Sequence, residues 1–156
     1  MNIADFLAER AVTIQVKAQA KEDVIRELVS LLAQAGSIKD KDAHRLMQIL
    51  LKRESLGSTG IGQGVAIPHG KSDCVTQLVG AFGVSQAGVN FDSLDGEPVY
   101  LFFLLIAPED SAGPHLKALA RISRLLKDKH FRESLRNAKD ERTLVKTIYT
   151  EDEHHR

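Results

Sequence analysis

Apolar residues recur at two different spacings in the first third of the chain. The segment Val12–Val16, VTIQV, alternates apolar and polar residues, which predicts a strand. From Lys21 onward apolar residues return every three or four positions, which predicts a helix that ends at Gly36. A second helix is expected from Asp40 to about Glu54. The inward positions of the two helices are Val24, Ile25, Leu28, Val29, Leu32 and Ala35, then Ala43, Leu46, Met47 and Leu50.

Three apolar runs in the middle of the chain predict strands. The first, Val65–Ile67, should stop at Pro68, which has no backbone N–H to donate. The second is Leu78–Val84, and a turn at Asp95-Gly96 leads towards the third. The third, VYLFFLLIA at Val99–Ala107, is apolar throughout, which is typical of a central strand covered on both faces.

The remaining third of the chain predicts helices. A long helix should follow APEDSAGP, with Pro114 at its first position. Shorter helices are expected around FRESLRN and ERTLVKTIY, followed by a polar, frayed tail over residues 151–156. The alternation of strands and helices predicts an α/β layered domain, over residues 1–150, with helices packed on a central sheet. The apolar stripe expected on the long helix is Leu116, Leu119, Ile122, Leu125 and Leu126.

Composition narrows the classes of partner and compartment. The 156 residues suit one domain, and 21 basic residues balance 21 acidic ones, so no charge excess favours nucleic acid or an anionic membrane as the partner. The longest apolar run, nine residues, is too short to span a bilayer. The first ten residues do not have the pattern of a signal peptide. The single cysteine allows no internal disulfide, which predicts a cytoplasmic protein.

Two glycine-rich stretches come close to nucleotide-binding motifs without matching them. GIGQGV has Val65 where a dinucleotide fingerprint needs its third glycine. GKS at 70–72 also lacks the first glycine of a P-loop, because Val65 stands at that position too. Nucleotide binding by either motif is therefore not favoured.

His69 has two open interpretations. It lies between Pro68 and Gly70, and it could be an idle, exposed loop histidine. It could also be a nucleophile or base, since Pro68 restrains the backbone and Gly70 leaves the ring accessible. An imidazole with an ordinary pKa of about 6.5 can accept a phosphoryl group near neutral pH.

His115 and Arg53 are the other candidates at the ends of elements. His115 should lie in the first turn of the long helix, where the helix dipole favours a neutral ring and backbone N–H groups attract anions. Arg53 ends the second helix, and its guanidinium could bind phosphate oxygens in pairs. Either residue could equally be an ordinary first-turn histidine or a solvated surface charge.

Two other classes of function are open to these residues. A Cys-His hydrolase would use Cys74 and His69, but no third partner stands out, and a lone cysteine is more often a small buried apolar residue. A pure binding module would leave His69 idle. The histidines at 44, 69, 115 and 130 do not have zinc-site spacing, so neither a metal nor a cofactor is expected.

Two stretches together carry a resemblance to a known family. RESLGSTGIGQGVAIPHGKSD and APEDSAGPHLKALARISRLLKD resemble the mannitol/fructose class of enzyme IIA domains of the bacterial phosphotransferase system, and more narrowly the nitrogen-regulatory enzyme IIA. The likeness runs from about Ile3 to about Ile148. It implies a layered α/β sandwich, with a mixed sheet of about five strands between helices on both faces.

The resemblance also implies a site and a reaction. His69 would accept a phosphoryl group from a histidine of a small phosphocarrier protein, while His115 and Arg53 line the pocket and steady the phosphoryl oxygens. Thr59, Gly60 and Gly70 match the active-site loop in supporting roles. A regulator of this kind would act on target proteins, such as kinases or ion transporters in nitrogen, potassium or carbon regulation. The alternative is a sugar-specific enzyme IIA that passes the phosphoryl group to an enzyme IIB domain.

Overall fold

The computed structural model describes residues 1–155, and within that range it contains six strands and five α-helices. The strands are β1 (Leu7–Thr13), β2 (Gly60–Gly62), β3 (Val65–Ala66), β4 (His69–Lys71), β5 (Val79–Val89) and β6 (Val99–Ala107). The helices are α1 (Lys21–Gln34), α2 (Ala43–Ser55), α3 (Ala112–Leu125), α4 (Lys129–Arg136) and α5 (Glu141–His154).

All six strands belong to one mixed sheet, in the order β1-β5-β6-β3-β2. β4 also pairs with β6, and both β3 and β4 run parallel to it. Val65 pairs with Leu101 and His69 pairs with Leu105, so β3 and β4 are two pieces of one line of chain that is interrupted around Pro68. β5 is antiparallel to β6, and β1 is parallel to β5. The layered α/β fold with a mixed sheet of about five strands is confirmed.

Helices cover the sheet on both faces, and β6 alternates between the two cores. Helices α1 and α2 pack with Phe102, Leu104 and Ile106 on one face. Helices α3, α4 and α5 pack with Leu101, Phe103 and Leu105 on the other. The prediction of a central strand buried on both sides is therefore confirmed.

The first strand begins earlier than the alternating pattern predicted. The expectation was Val12–Val16, whereas β1 covers Leu7–Thr13. The register between β1 and β5 shifts between Leu7 and Val12, and this irregularity breaks the two-residue period that marks a regular strand. Val16 lies beyond β1, although its N–H still donates to the carbonyl of Val84 (2.8 Å).

Helix α3 begins at Ala112, so Pro114 occupies its third position and not the first. Leu116 was predicted in the apolar stripe but is 68% exposed. The buried positions of the helix include His115, Ala118 and Ile122. His115 thus faces the core in the first turn of the helix, and the next residue, Leu116, faces outward.

The prediction of a frayed tail is wrong for residues 151–154, because α5 continues to His154. Asp152 is only 2% exposed, and its carboxylate accepts hydrogen bonds from the backbone N–H of Ile3 (2.7 Å) and from the guanidinium of Arg121. These partners are remote in sequence, so the polar composition of the tail did not reveal them. The last tail residue, Arg156, lies outside the described residues. Within residues 1–155, no helix has both the length and the hydropathy of a membrane span.

Candidate functional site

A cleft of about 550 Å³ opens where the end of α2 and the start of α3 meet over β4. Arg53 contributes from α2, His69 from β4 and His115 from α3, so the structure brings the three main predicted residues together. The cleft walls also carry two large apolar side chains that are mostly exposed, Leu56 at 78% and Leu116 at 68%. The fold therefore groups two imidazoles and one guanidinium in a recess with an apolar rim.

His69 was expected on an accessible corner after Pro68. In the structure it is instead the first residue of the short strand β4, and it is half-buried. The strand resumes after Pro68 because β6 continues alongside and offers hydrogen-bond partners: Leu105 N–H donates to the carbonyl of Pro68 (2.9 Å). The ring Nδ1 of His69 lies 2.7 Å from the carbonyl oxygen of Ile67. A carbonyl can only accept, so Nδ1 carries the proton and Nε2 of the neutral ring keeps its lone pair.

Several influences act on the pKa of His69. Burial of the ring lowers this pKa most, and the positive charge of Arg53 lowers it further. The hydrogen bond to Ile67 and the negative charge of Glu54 act in the opposite direction, and the net pKa lies below the ordinary value. The ring is accordingly neutral at pH 7, with Nε2 unprotonated.

His115 is buried, 6% exposed, in the first turn of α3. Its ring centroid lies 5.5 Å from that of His69, with an angle of 72° between the ring planes. Burial lowers the pKa of His115 most, and the positive charges of Lys71 and of His69 in its protonated form lower it further, to about 4. The neutral ring expected from the helix dipole is thus found, with burial as its largest cause. Among residues 1–155, no group hydrogen-bonds to Nε2 of His115.

Arg53 lies in the last turn of α2, where its guanidinium nitrogen Nη1 donates to the carbonyl oxygen of Gly57 (2.9 Å). That contact turns the side chain back over the segment that follows its own helix. The planar group has five N–H donors, so the contact with Gly57 leaves others for a ligand.

The predicted supporting residues divide into two groups. Gly70 lines the cleft, and a Cβ atom there would lie 3.1 Å from Cγ2 of Ile49. Thr59 and Gly60 are buried behind the cleft and do not line it. Gly60 allows a close approach of two chain segments, because a Cβ atom there would lie 2.2 Å from Oγ of Ser93.

Glu54 is a candidate residue that sequence reasoning missed. Its carboxylate is buried, 5% exposed, and accepts hydrogen bonds from both the backbone N–H (2.8 Å) and the hydroxyl of Thr59. Nζ of Lys21, at the start of α1, lies 3.0 Å from Oε2 of Glu54. Its position next to Arg53 was visible in the sequence, but its burial and its partners were not.

Cys74 is not among the residues that line the cleft; it is partly buried and packs against the core beneath α1 and α2. That placement fits the small apolar role better than a pairing with His69. Within residues 1–155, no cluster of three or more histidine, cysteine, aspartate or glutamate side chains could hold a metal ion.

Comparison with known proteins identifies the family. Residues 5–151 match the family model described as "Phosphoenolpyruvate-dependent sugar phosphotransferase system, EIIA 2". The chain belongs to this EIIA 2 family. The resemblance noted in the sequence is thereby confirmed, and the protein is a phosphotransferase-system component of the EIIA type.

Relatives of this EIIA 2 protein have names of two kinds. A nitrogen regulatory protein of Bradyrhizobium diazoefficiens is 38% identical over 148 residues, which cover 95% of each chain. A fructose-specific EIIABC component of Bacillus subtilis is 39% identical over 152 residues; the match covers 97% of the present chain but only 24% of that longer relative.

Solved structures agree with the family assignment. Nitrogen regulatory protein IIA-Ntr from Neisseria meningitidis superimposes with a TM-score of 0.83 at 35% identity, covering 94% of this chain and 98% of that one. The mannitol IIA of Escherichia coli superimposes with a TM-score of 0.76 at 22% identity, covering 90% of this chain and 97% of that one, and it supports the fold alone.

Proposed function

We propose that this EIIA 2 protein accepts a phosphoryl group on Nε2 of His69 from a phosphohistidine of a small phosphocarrier protein. The observation that carries the proposal is the 2.7 Å contact between Nδ1 of His69 and the carbonyl of Ile67. With the ring proton on Nδ1, the lone pair of Nε2 is available to act as the nucleophile, which supports the proposal. The cleft beside it supplies an arginine and a second histidine.

The transfer is balanced as a histidine-to-histidine exchange. The P–N bond of the donor breaks while a bond forms between phosphorus and Nε2 of His69, and the electron pair of the broken bond returns to the donor ring nitrogen. The His69 ring gains positive charge in this step, and the carbonyl of Ile67 stabilises that charge through the Nδ1 proton. Positioning and charge stabilisation account for most of the catalysis in such transfers.

Arg53 and His115 would stabilise the equatorial phosphoryl oxygens. Arg53 brings a fixed positive charge and paired donors to the cleft. Neutral His115 can donate one N–H, and a phosphoryl oxygen would provide the hydrogen-bond partner that its Nε2 lacks. The first N–H groups of α3, at Ala112 and Gly113, have no earlier helical turn to bond to and add favourable polarity.

Phosphorylation by phosphoenolpyruvate, the upstream enzyme and the phosphocarrier tests the proposal. Wild-type protein should take up one phosphoryl group in an adduct that is labile in acid and stable in base, and His69→Ala should take up none. His130→Ala serves as the matched control, because His130 is exposed and remote from the cleft lining. Full labelling of His69→Ala would refute the assignment, and loss of labelling in Cys74→Ser would favour cysteine chemistry.

We further propose that the phosphorylation state of His69 regulates target proteins. The match to a nitrogen regulatory protein over 95% of both chains supports this. A phosphoryl group adds nearly two negative charges, which changes affinity for any partner that covers the apolar rim. Phosphorylated and unphosphorylated wild type should capture different kinases or ion-transport proteins from a lysate, and the charge-mimicking variant His69→Glu should resemble the phosphorylated form. Identical captured sets would contradict the regulatory proposal.

A sugar-specific enzyme IIA is the second candidate. It is favoured by the fructose-specific EIIABC relative, and by a fructose-specific EIIA component of Haloferax volcanii that is 35% identical over 133 residues, or 85% of each chain. Rapid transfer from phosphorylated wild type to an enzyme IIB domain specific for fructose would support this alternative over regulation.

A further inference from the structure

The buried carboxylate of Glu54 joins three segments behind the cleft. It lies in the last turn of α2, it accepts two hydrogen bonds from Thr59, and it forms an ion pair with Lys21 at the start of α1. Lys21 is also within 3.5 Å of Asp92 and lies over the ring of Phe91. A carboxylate that is 5% exposed is stable in the charged form only with such partners.

The two bonds to Thr59 close a short loop of five residues after Glu54, which we call the 55–59 loop. The loop is held at its far end as well, because Ile67 N–H donates to the carbonyl of Thr59 (3.0 Å). Gly57 lies inside the loop, and its carbonyl is the acceptor for the Arg53 guanidinium. The loop therefore carries the acceptor that the Arg53 guanidinium contacts.

We propose that Glu54 is a positioning residue for phosphoryl transfer: by holding the 55–59 loop it fixes the Arg53 guanidinium in the cleft beside His69. This inference rests on the proposed function for its kinetic consequence. Its structural part, that Glu54 orders Arg53, does not depend on phosphorylation. Glu54 itself does not line the cleft, so it acts through Arg53 and not by contact with the phosphoryl group.

The first variant is Glu54→Gln, which keeps the size of the side chain. The amide has only one acceptor oxygen and no charge, so it cannot accept both hydrogen bonds from Thr59 on two oxygens or form the ion pair with Lys21. The first-order rate of transfer within the complex should fall about 10- to 100-fold, as expected when a stabilising group is displaced by about 1 Å. The KM for the phosphocarrier should stay unchanged, since the apolar rim formed by Leu56 and Leu116 is intact. Thr59→Val removes one hydrogen bond, keeps the charge of Glu54, and should give a smaller loss in the same direction.

A double-mutant cycle separates positioning from general damage. If Glu54 acts through Arg53, Glu54→Gln should have almost no further effect in an Arg53→Ala background. Multiplicative losses in the cycle would overturn the proposal. Asp152→Asn is the matched control: it also alters a buried carboxylate held by a backbone N–H and a cation, but in α5 away from the cleft, and should leave the rate unchanged.

A measurement on unphosphorylated protein tests the positioning of Arg53 by Glu54 separately from the proposed phosphorylation of His69. In wild type the Nε–H resonance of Arg53 should be that of one ordered side chain. In Glu54→Gln and Thr59→Val it should move towards the position of a free arginine, and in Asp152→Asn it should not move. An unchanged resonance in folded Glu54→Gln protein, shown by circular dichroism, would refute the positioning role even where wild type accepts no phosphoryl group.

Discussion

At the scale of residues, the fold gives the two cleft histidines different surroundings. His69 is half-buried and has a carbonyl partner for Nδ1, so its ring orientation is fixed. His115 is nearly fully buried and its Nε2 has no hydrogen-bond partner among residues 1–155. The first arrangement suits a nucleophile and the second suits a neutral donor to an incoming group.

The depressed pKa of His115 should make stability depend on pH. In the unfolded chain its pKa returns to about 6.5, whereas in the folded protein it is about 4. Between these values the unfolded state binds one more proton, so the free energy of unfolding should fall with decreasing pH by up to about 1.4 kcal/mol per pH unit. Urea unfolding of wild type and His115→Gln from pH 4.5 to 7.5 checks this. The free energy of unfolding of the variant should change less with pH. Some pH dependence should remain because the pKa of His69 is lowered too. Equal pH dependence in wild type and variant would contradict the assignment.

Arg53→Lys should slow phosphoryl transfer while His69 remains able to accept the group. Lysine keeps the charge, but it lacks the planar fork that can bond Gly57 and a phosphoryl oxygen together. Loss of one stabilising donor raises a barrier by about 2.7–4 kcal/mol. Single-turnover kinetics with the phosphocarrier measure the effect, and Arg45→Lys, the same change on the same helix but outside the cleft lining, is the control. A wild-type rate in Arg53→Lys would remove Arg53 from the mechanism.

At the scale of elements, close packing of α1 on the sheet depends on a glycine in β5. A Cβ atom at Gly83 would lie 2.7 Å from Cγ2 of Val16 and 3.1 Å from Cδ2 of Leu28. The segment after β1 and helix α1 can approach β5 only because that position has no side chain. The layer that carries α1 and α2 is thereby set against the sheet.

Gly83→Ala should consequently destabilise the protein by roughly 1–3 kcal/mol, as overpacking does in other cores. Gly113→Ala is the matched control, because a Cβ atom there meets nothing within 4 Å and the position is helical. It should be neutral or stabilising by a few tenths of a kcal/mol. Chemical denaturation of both variants measures the difference, and an unchanged midpoint for Gly83→Ala would show that the layer can shift without cost.

At the scale of the whole molecule, β6 connects two cores that lie on opposite faces of one sheet. Leu104 belongs to the core under α1 and α2, and Leu105 belongs to the core under α3, α4 and α5. Both side chains are 0% exposed. Since the same strand serves both cores, neither layer can lose its packing without disturbing the other.

Leu104→Ala and Leu105→Ala should each lower the free energy of unfolding by about 2–5 kcal/mol, and each variant should still unfold in one transition. Far-UV circular dichroism reports the helices of both faces, while fluorescence of Tyr149 and Tyr100 reports α5 and the start of β6. The two probes should give the same midpoint in both variants. Separate midpoints would show that the faces unfold independently.

Local patterns were sufficient for most elements but failed where a distant partner decides. The continuous apolar run in β6 predicted its burial on both faces, because no polar position breaks it. Strand β1 was misplaced because an irregularity in its pairing with β5 hides the alternation. The end of α5 was missed because Asp152 is buried by Ile3 and Arg121, which are remote in sequence.

For the site, the sequence by itself determined the residue types and family: RES, IPHG and APEDSAGPH carry the arginine, the two histidines and the likeness to EIIA 2 domains. Only the tertiary structure decided that Arg53, His69 and His115 share one cleft, that Nδ1 of His69 bonds the carbonyl of Ile67, and that Glu54 is buried. The physical reason is that residue type and spacing govern the local preference of the backbone. Burial and hydrogen-bond geometry arise only when the end of α2 and the start of α3 meet over β4.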